Sequence, residues 1–357
     1  TKICRHQVSF SNRQTSNNNI NGEGLEGQKT MRSKINRPSF CFSEVKGQEG
    51  VKRAMEVAAA GGHNILLIGP PGAGKTMISK RLPSILPEMN FQEALETTKI
   101  HSVAGILETH GLLSQRPFRS PHHSISDVAL VGGGSFPQPG EISLAHNGVL
   151  FLDELPEFKK GVLEVLRQPL EDRKITISRA KYTISYPASF MLVASMNPSP
   201  SGHFSSQNSL YESSVHDAQR YVSKISGPLL DRIDIQLEVQ AVSYEKLSGA
   251  SASETSAIIL ERVKKSRDIQ LNRFKTIEGV FHNAQMDIKE IQLFCTLNPE
   301  SQFIIKAAMK RLRFSARAYN RIIKVARTIA DLEGAIDIQS AHIAEAVQYR
   351  TMDRNTF

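Results

Sequence analysis

Apolar residues fall into two rhythms along this chain. Up to about residue 195 they come in short unbroken runs: Ile65-Leu66-Leu67-Ile68, Gly148-Val149-Leu150-Phe151-Leu152 and Phe190-Met191-Leu192-Val193-Ala194-Ser195. Runs of this kind predict strands buried on both faces. Stretches with helical spacing lie between and before them. These are residues 47–60, with Val51, Ala54, Met55 and Ala58 on one side, a segment from Lys75 to about Ile85, and Gly161 to Leu170. Gly61-Gly62-His63-Asn64 stops the first of these helices. Strand and helix in alternation predict a parallel α/β sheet. From about Ser253 onward the spacing is helical, and helices are predicted over 254–274, 287–295, 299–312, 315–333 and 339–349. The organisation read from pattern alone is an α/β module over 41–245 and a helical module over 246–357.

Composition narrows the setting. The 357 residues are 40% hydrophobic, enough for a sizeable core, and no apolar run approaches the ~20 residues of a membrane span. No membrane role is expected. Cys4, Cys41 and Cys295 are too few and too scattered for a disulfide framework or a metal-ligand set, which favours a reducing cytoplasm. The start, Thr1-Lys2-Ile3, lacks both a Met and a signal-peptide core, so the chain reads as processed or as a fragment. The net charge of +9 permits a polyanionic partner, but more than half of it sits in residues 1–40, with seven basic residues against two acidic ones. That stretch also carries Ser16-Asn17-Asn18-Asn19-Ile20-Asn21-Gly22, and it predicts a disordered basic tail.

The chemistry starts at Gly69-Pro70-Pro71-Gly72-Ala73-Gly74-Lys75-Thr76, which fits G-x-x-x-x-G-K-[ST] between a buried strand and a helix. Backbone N–H groups of such a loop face phosphate oxygens at a helix N-terminus. Lys75 reaches the β- and γ-phosphates, the Thr76 hydroxyl ligates Mg²⁺, and the contact surface runs on to Met77. The acidic strand end, Leu152-Asp153-Glu154, offers Asp153 to the metal and Glu154 as general base for the attacking water. At the third strand's end Asn197 could hold that water or the γ-phosphate, though taken alone before Pro198 it reads more often as a turn residue. Arg232 and Arg317 could stabilise charge on a transferring phosphoryl group. Either alone would otherwise be a surface ion pair.

Taken together, the phosphate loop, Asp153-Glu154, Asn197, Leu229-Leu230-Asp231-Arg232 and Ser315-Ala316-Arg317 resemble the AAA+ ATPases. Arg119-Ser120-Pro121-His122-His123, Gly132-Gly133-Gly134, Pro139-Gly140-Glu141-Ile142 and Arg167-Gln168-Pro169-Leu170-Glu171-Asp172 narrow the resemblance. They are similar to the magnesium-chelatase-like group, most nearly its competence-related members. The resemblance implies a P-loop NTPase core of α/β class with hairpin insertions and a helical lid, working as a homo-oligomeric ring of six. It casts Asn197 as sensor 1, Arg232 as a finger reaching a neighbour's ATP and Arg317 as sensor 2. It puts adenine against Val45 to Gln48 and His63-Asn64. Family members usually carry an N-terminal domain resembling the Lon protease domain, where this chain has the polar tail. Where they often have cysteines after the sensor Asn, this chain reads Asn197-Pro198-Ser199-Pro200-Ser201-Gly202, so no zinc is expected.

Two stretches lengthen the core, residues 101–147 and 173–187. In the second, Ile175, Ile177, Tyr182 and Ile184 alternate around Ser178-Arg179-Ala180-Lys181 and predict a β-hairpin with a basic tip. In a monomer this is a solvated turn. In a ring, Arg179 and Lys181 would face a phosphate backbone. The functional expectation is an ATP-driven motor on branched or single-stranded DNA. Its competitors are the ATPase subunit of a magnesium-chelatase complex and a nucleotide-gated scaffold.

Overall fold

The computed structural model describes residues 40–107, 111–134, 137–178, 183–199, 221, 223–242, 253–312 and 314–350. Strands β1 (Ile65–Ile68), β2 (Phe118–Arg119), β5 (Val149–Leu152), β8 (Met191–Met196) and β9 (Ile235–Glu238) form one parallel sheet in the order β2-β5-β8-β1-β9. The side-chain alternation of a strand, with both faces covered, explains why the three central runs are apolar but for Ser195. Ile65, Leu67, Val149, Phe151 and Val193 join the core on one face, and Leu66, Ile68, Leu150, Leu152 and Ala194 join the core on the other.

The first face is covered by helix α1 (Glu49–Gly61), and over it lie helices of the C-terminal part. Those helices are Ser256–Arg273, Ile288–Phe294, Pro299–Leu312, Ala316–Leu332 and Ser340–Gln348, which follow the periodicity of the sequence closely. Small residues Ala54, Ala58, Ala59 and Ala60 on α1 have no exposed surface, and they let the longest helix approach closely enough for Gln270 to donate to the Ala60 carbonyl at 3.1 Å.

Local chemistry moves some boundaries. The helix expected from Lys75 to Ile85 stops at Ser79, and Leu82–Ile85 is a 3₁₀ turn with Pro83 near its start. Gly161 to Leu170 becomes two short helices, Lys160–Val165 and Arg167–Asp172. Part of 101–147 belongs to the sheet itself, because Phe118 pairs with Val149 and Arg119 with Leu150. Two-residue strands β3 (Gly132–Gly133) and β4 (Gln138–Pro139) pair antiparallel, and the hairpin expected at 173–187 forms from β6 (Lys174–Ser178) and β7 (Thr183–Pro187), with Ile177 opposite Ile184. Its tip residues Arg179 and Lys181, with Tyr182, lie outside the described residues.

Candidate active site

Three parallel strands end side by side, and register decides which side chains meet there. Ile68 is opposite Met196, and Leu152 is opposite Ala194. The residues that follow each strand are thereby neighbours: Gly69 beside Asn197, and Asp153 beside Ser195. The Gly69 amide donates to the Met196 carbonyl at 3.1 Å, which pins the phosphate loop to the end of β8. Only glycine fits at position 69, since a Cβ there would stand 2.1 Å from the Val239 carbonyl oxygen. Gly72 and Gly74 have φ of 77° and 85°, the left-handed region that favours glycine.

Lys75 is buried, and its ammonium donates to the carbonyls of Gly69 (2.7 Å) and Pro70 (2.9 Å) and to Asn197 Oδ1 (3.1 Å). Burial lowers its pKa, and the charges of Asp153 and Glu154 partly offset that. The Thr76 hydroxyl donates to Asp153 Oδ2 at 2.7 Å, and the Ser195 hydroxyl donates to the other carboxylate oxygen. Asp153 therefore has both oxygens fixed. Glu154 is held differently. Its backbone is left-handed (φ 53°), an arrangement that costs a non-glycine residue of order 1–3 kcal/mol. Its N–H is bonded to Asp153 Oδ1 (3.2 Å) and Ser195 Oγ (3.3 Å), while its carboxylate is 53% exposed, facing His123 Nδ1 at 3.9 Å. Gln48 bridges to the loop from the side, donating to the carbonyls of Ala73 (2.8 Å) and Gln240 (3.0 Å). The Val45 side chain is buried in the same core as Ala73, and Met77 is exposed just past the loop.

This donor set fits a nucleotide with Mg²⁺. A hydroxyl and a carboxylate already face one another, and Gly72 opens onto free space. Among the described residues no three His, Cys, Asp or Glu cluster as a metal cage. Mg²⁺ needs none, because it keeps waters and leans on substrate phosphates.

Four expected site residues are not at this edge. His63 and Asn64 precede β1, whereas the phosphate loop follows it. A strand rises about 3.3 Å per residue, so the four residues of β1 alone separate the two edges by roughly 13 Å. His63 has no exposed surface: Nε2 is 2.8 Å from Thr328 Oγ1 and Nδ1 is 3.6 Å from Asp234 Oδ2. Asn64 accepts from the Leu192 N–H at 2.8 Å and donates to the Arg232 carbonyl at 3.1 Å. Both tie the sheet together at the edge remote from the phosphate loop. Arg232 precedes β9 and so lies at the same remote edge. It is bonded to Glu171 and to the Pro228 carbonyl. Arg317 is exposed at the start of its helix and acts electrostatically on Glu171. Sequence reasoning gave no role to Ser195 or His123, and it had Gln48 only as the end of the stretch set against adenine. Ser195 had a signal, being the last polar residue of a buried strand beside the acidic one.

Residues 41–247 match the family model described as magnesium chelatase, subunit ChlI, and residues 253–350 match that of its C-terminal region. The chain belongs to this family. It is a magnesium-chelatase-like AAA+ ATPase, and the family uses ATP with Mg²⁺ and commonly assembles as rings. It is similar to the competence protein ComM of Haemophilus influenzae, at 50% identity over 88% of this chain and 60% of the relative. YifB of Escherichia coli is 47% identical over 88% of this chain and 61% of its own length. The magnesium-chelatase 38 kDa subunit of Rhodobacter capsulatus is 27% identical over 45% of this chain and 51% of its own. The chain thus spans about 60% of the length of the ComM and YifB relatives it matches. Among the described residues no helix is long and apolar enough to cross a membrane.

Proposed function

We propose that the chain is the motor part of a six-membered homo-oligomeric ring that uses ATP to move branched or single-stranded DNA. The observation that carries the ring is the position of Arg232 and Arg317. Both lie at the edge remote from their own phosphate loop, so a phosphate within their reach belongs to another subunit. Bound ATP·Mg²⁺ supplies the reactive phosphorus and a metal charge that neutralises phosphate. The amides of Gly72 to Thr76 and the Lys75 ammonium hold the phosphates. Thr76 and Asp153 would hold the metal, with Ser195 fixing Asp153. Glu154, turned outward by its left-handed backbone, takes the proton from the attacking water, and Asn197 positions that water beside Lys75.

The DNA reading rests on likeness to a competence protein over most of the chain and on the hairpin β6–β7, whose sequence carries Arg179 and Lys181 at the turn. The chelatase reading has its own support in the family model and in the Rhodobacter relative. One experiment separates them: steady-state ATP turnover with and without forked or four-way DNA across a salt series. Stimulation that fades as salt rises supports the motor. Turnover indifferent to DNA at low salt sinks it and leaves the chelatase partner or scaffold readings.

A further inference from the structure

The edge of the sheet remote from the phosphate loop holds a second concentration of charge, where the C-terminal helices meet the core. Gly62, Asn147, Gly148, Ser189 and Phe190 from the starts of three strands face Arg267 and His282 there, around a cavity of about 40 Å³. At roughly 10–15 Å³ per water-sized sphere this is room for about three waters, or for one compact anion.

The polar groups on the wall are unequally satisfied. Arg116 is fully engaged, forking onto both Glu93 oxygens at 2.9 Å and donating to the carbonyls of Pro87 and Asn147. That fork also neutralises Glu93, the carboxylate of the wall. The Asn147 amide donates to the Glu93 carbonyl and to Thr97, and Gln285 bonds Phe281 and Ser189. Arg267 stands apart. Among the described residues it makes no ion pair, and its two bonds converge on one acceptor, the Ala59 carbonyl, at 3.3 and 2.9 Å. On the same wall, His282 Nδ1 is buried with no hydrogen-bond partner among the described residues. Arg173 adds positive charge beside it, donating to the carbonyls of Gly279 and Gln285, with the charges of Asp287 and Glu290 nearby. Burial and the neighbouring Arg116 pull the Arg267 pKa down to about 9. Burial, then Arg267 and Arg173, push His282 well below its usual value, so its ring is neutral and can donate from Nδ1. A desolvated guanidinium whose nearest carboxylate, Glu93, is already forked onto Arg116 is a costly arrangement that an anion relieves.

We propose that this cavity is an oxyanion site that takes one small tetrahedral anion, such as inorganic phosphate, between Arg267 and His282. The guanidinium offers paired donors matched to two oxygens of one anion, and the neutral imidazole offers a third donor. Arg267 and His282 belong to the C-terminal part, while the opposite wall is the strand starts of the core. Occupancy therefore ties the two parts together at the sheet edge away from the chain's own phosphate loop. The inference does not depend on the nature of the motor's substrate.

Thermal unfolding of the full chain tests it, in a Lys75→Ala background that disables the phosphate loop. Phosphate, sulfate and chloride are titrated at constant ionic strength in the low millimolar range, below the level at which kosmotropic anions stabilise proteins in general. Phosphate and sulfate are expected to raise the midpoint by about 2 °C at ten times Kd, with chloride inert. Arg267→Gln is expected to remove the rise. If that variant does not fold, His282→Phe fills the cavity, leaves the Arg267–Ala59 contact in place, and is read the same way. No rise in the parent means a water-filled cavity only and overturns the proposal. So does an equal rise with chloride, or a rise that survives in the folded variant.

Discussion

Arg232 and Glu171 form an ion pair inside one chain, at the sheet edge remote from that chain's phosphate loop. The pair is lopsided: the Arg232 side chain is 9% exposed and the Glu171 side chain 59%. Arg232 Nε is buried without a partner, so the guanidinium has a donor to spare. The hydrogen bond from Arg232, then the charges of Arg232, Arg317 and Arg321, hold the Glu171 carboxyl below its usual range. In a ring, Glu171 and a neighbour's phosphate would compete for one guanidinium. An ion pair with one exposed partner contributes at most about 1 kcal/mol, or roughly fivefold. Glu171→Gln is expected to raise ATP turnover by up to about fivefold at limiting protein concentration. A tenfold fall in the same steady-state assay would make Glu171 a group that orients Arg232 instead.

The remote position of Arg232 gives a second expectation, about complementation. Arg232→Ala and Lys75→Ala subunits should each be inactive alone, the first lacking the arginine it offers a neighbour and the second lacking its own nucleotide. Mixed, they place an intact Arg232 beside an intact phosphate loop at some interfaces. Turnover should then recover to a measurable fraction of the parent's. A mixture as dead as its components would mean that Arg232 does not act between subunits.

The parts of this architecture carried by local pattern were legible, and the parts carried by register were not. The strands β1, β5 and β8 announced themselves because each is buried on both faces. β9 did not, since Gln236 and Glu238 break its apolar run, and β2 is too short to leave a pattern. The helix Phe91–Val103 was missed although Asn90 and Glu93 form a capping box at its start, a signal visible in the sequence. At the site, the phosphate loop and Asp153-Glu154 are contiguous motifs and could be read directly. His63 and Asn64 precede β1 and the loop follows it, so the order of the sequence already puts them at the strand's opposite end. Ser195 reaches Asp153 only through the pairing of β5 with β8, which no single stretch encodes.

Separating binding from hydrolysis checks the roles assigned at the strand ends. Lys75→Ala removes a buried cation that now bonds two loop carbonyls and Asn197, and it should abolish nucleotide binding in a fluorescent-ADP titration. Glu154→Gln leaves Asp153, Thr76 and the loop untouched. Binding should stay within about twofold while turnover falls by roughly 10²–10⁴, the range expected for loss of a general base. Parallel loss of binding in Glu154→Gln would mean that its carboxylate holds the nucleotide rather than acting on water.

Acid should loosen the joint between core and helices, and Asp234 is the group to test. It is buried, accepts from the Asn64 N–H at 2.9 Å and from Arg321 on the helix Ala316–Leu332, and lies against His63. Burial alone would raise its pKa, but the Arg321 charge and the contact with His63 more than offset this and hold it far below the usual range. An unfolded Asp titrates near about 3.9, so Asp234 contributes stability that is present above about pH 4 and lost as pH falls below it. His63 acts in the same direction from a higher pH. Burial lowers its folded pKa, so its contribution is present above about pH 6.5, the unfolded value, and declines as pH falls from there. Asp234→Asn keeps the shape and strands Arg321, which should cost roughly 3 kcal/mol at pH 7. Thermal melts from pH 3 to 8 should show that the variant starts lower and loses less on acidification below pH 4 than the parent does. A variant whose acid limb parallels the parent's would assign that limb to other carboxylates.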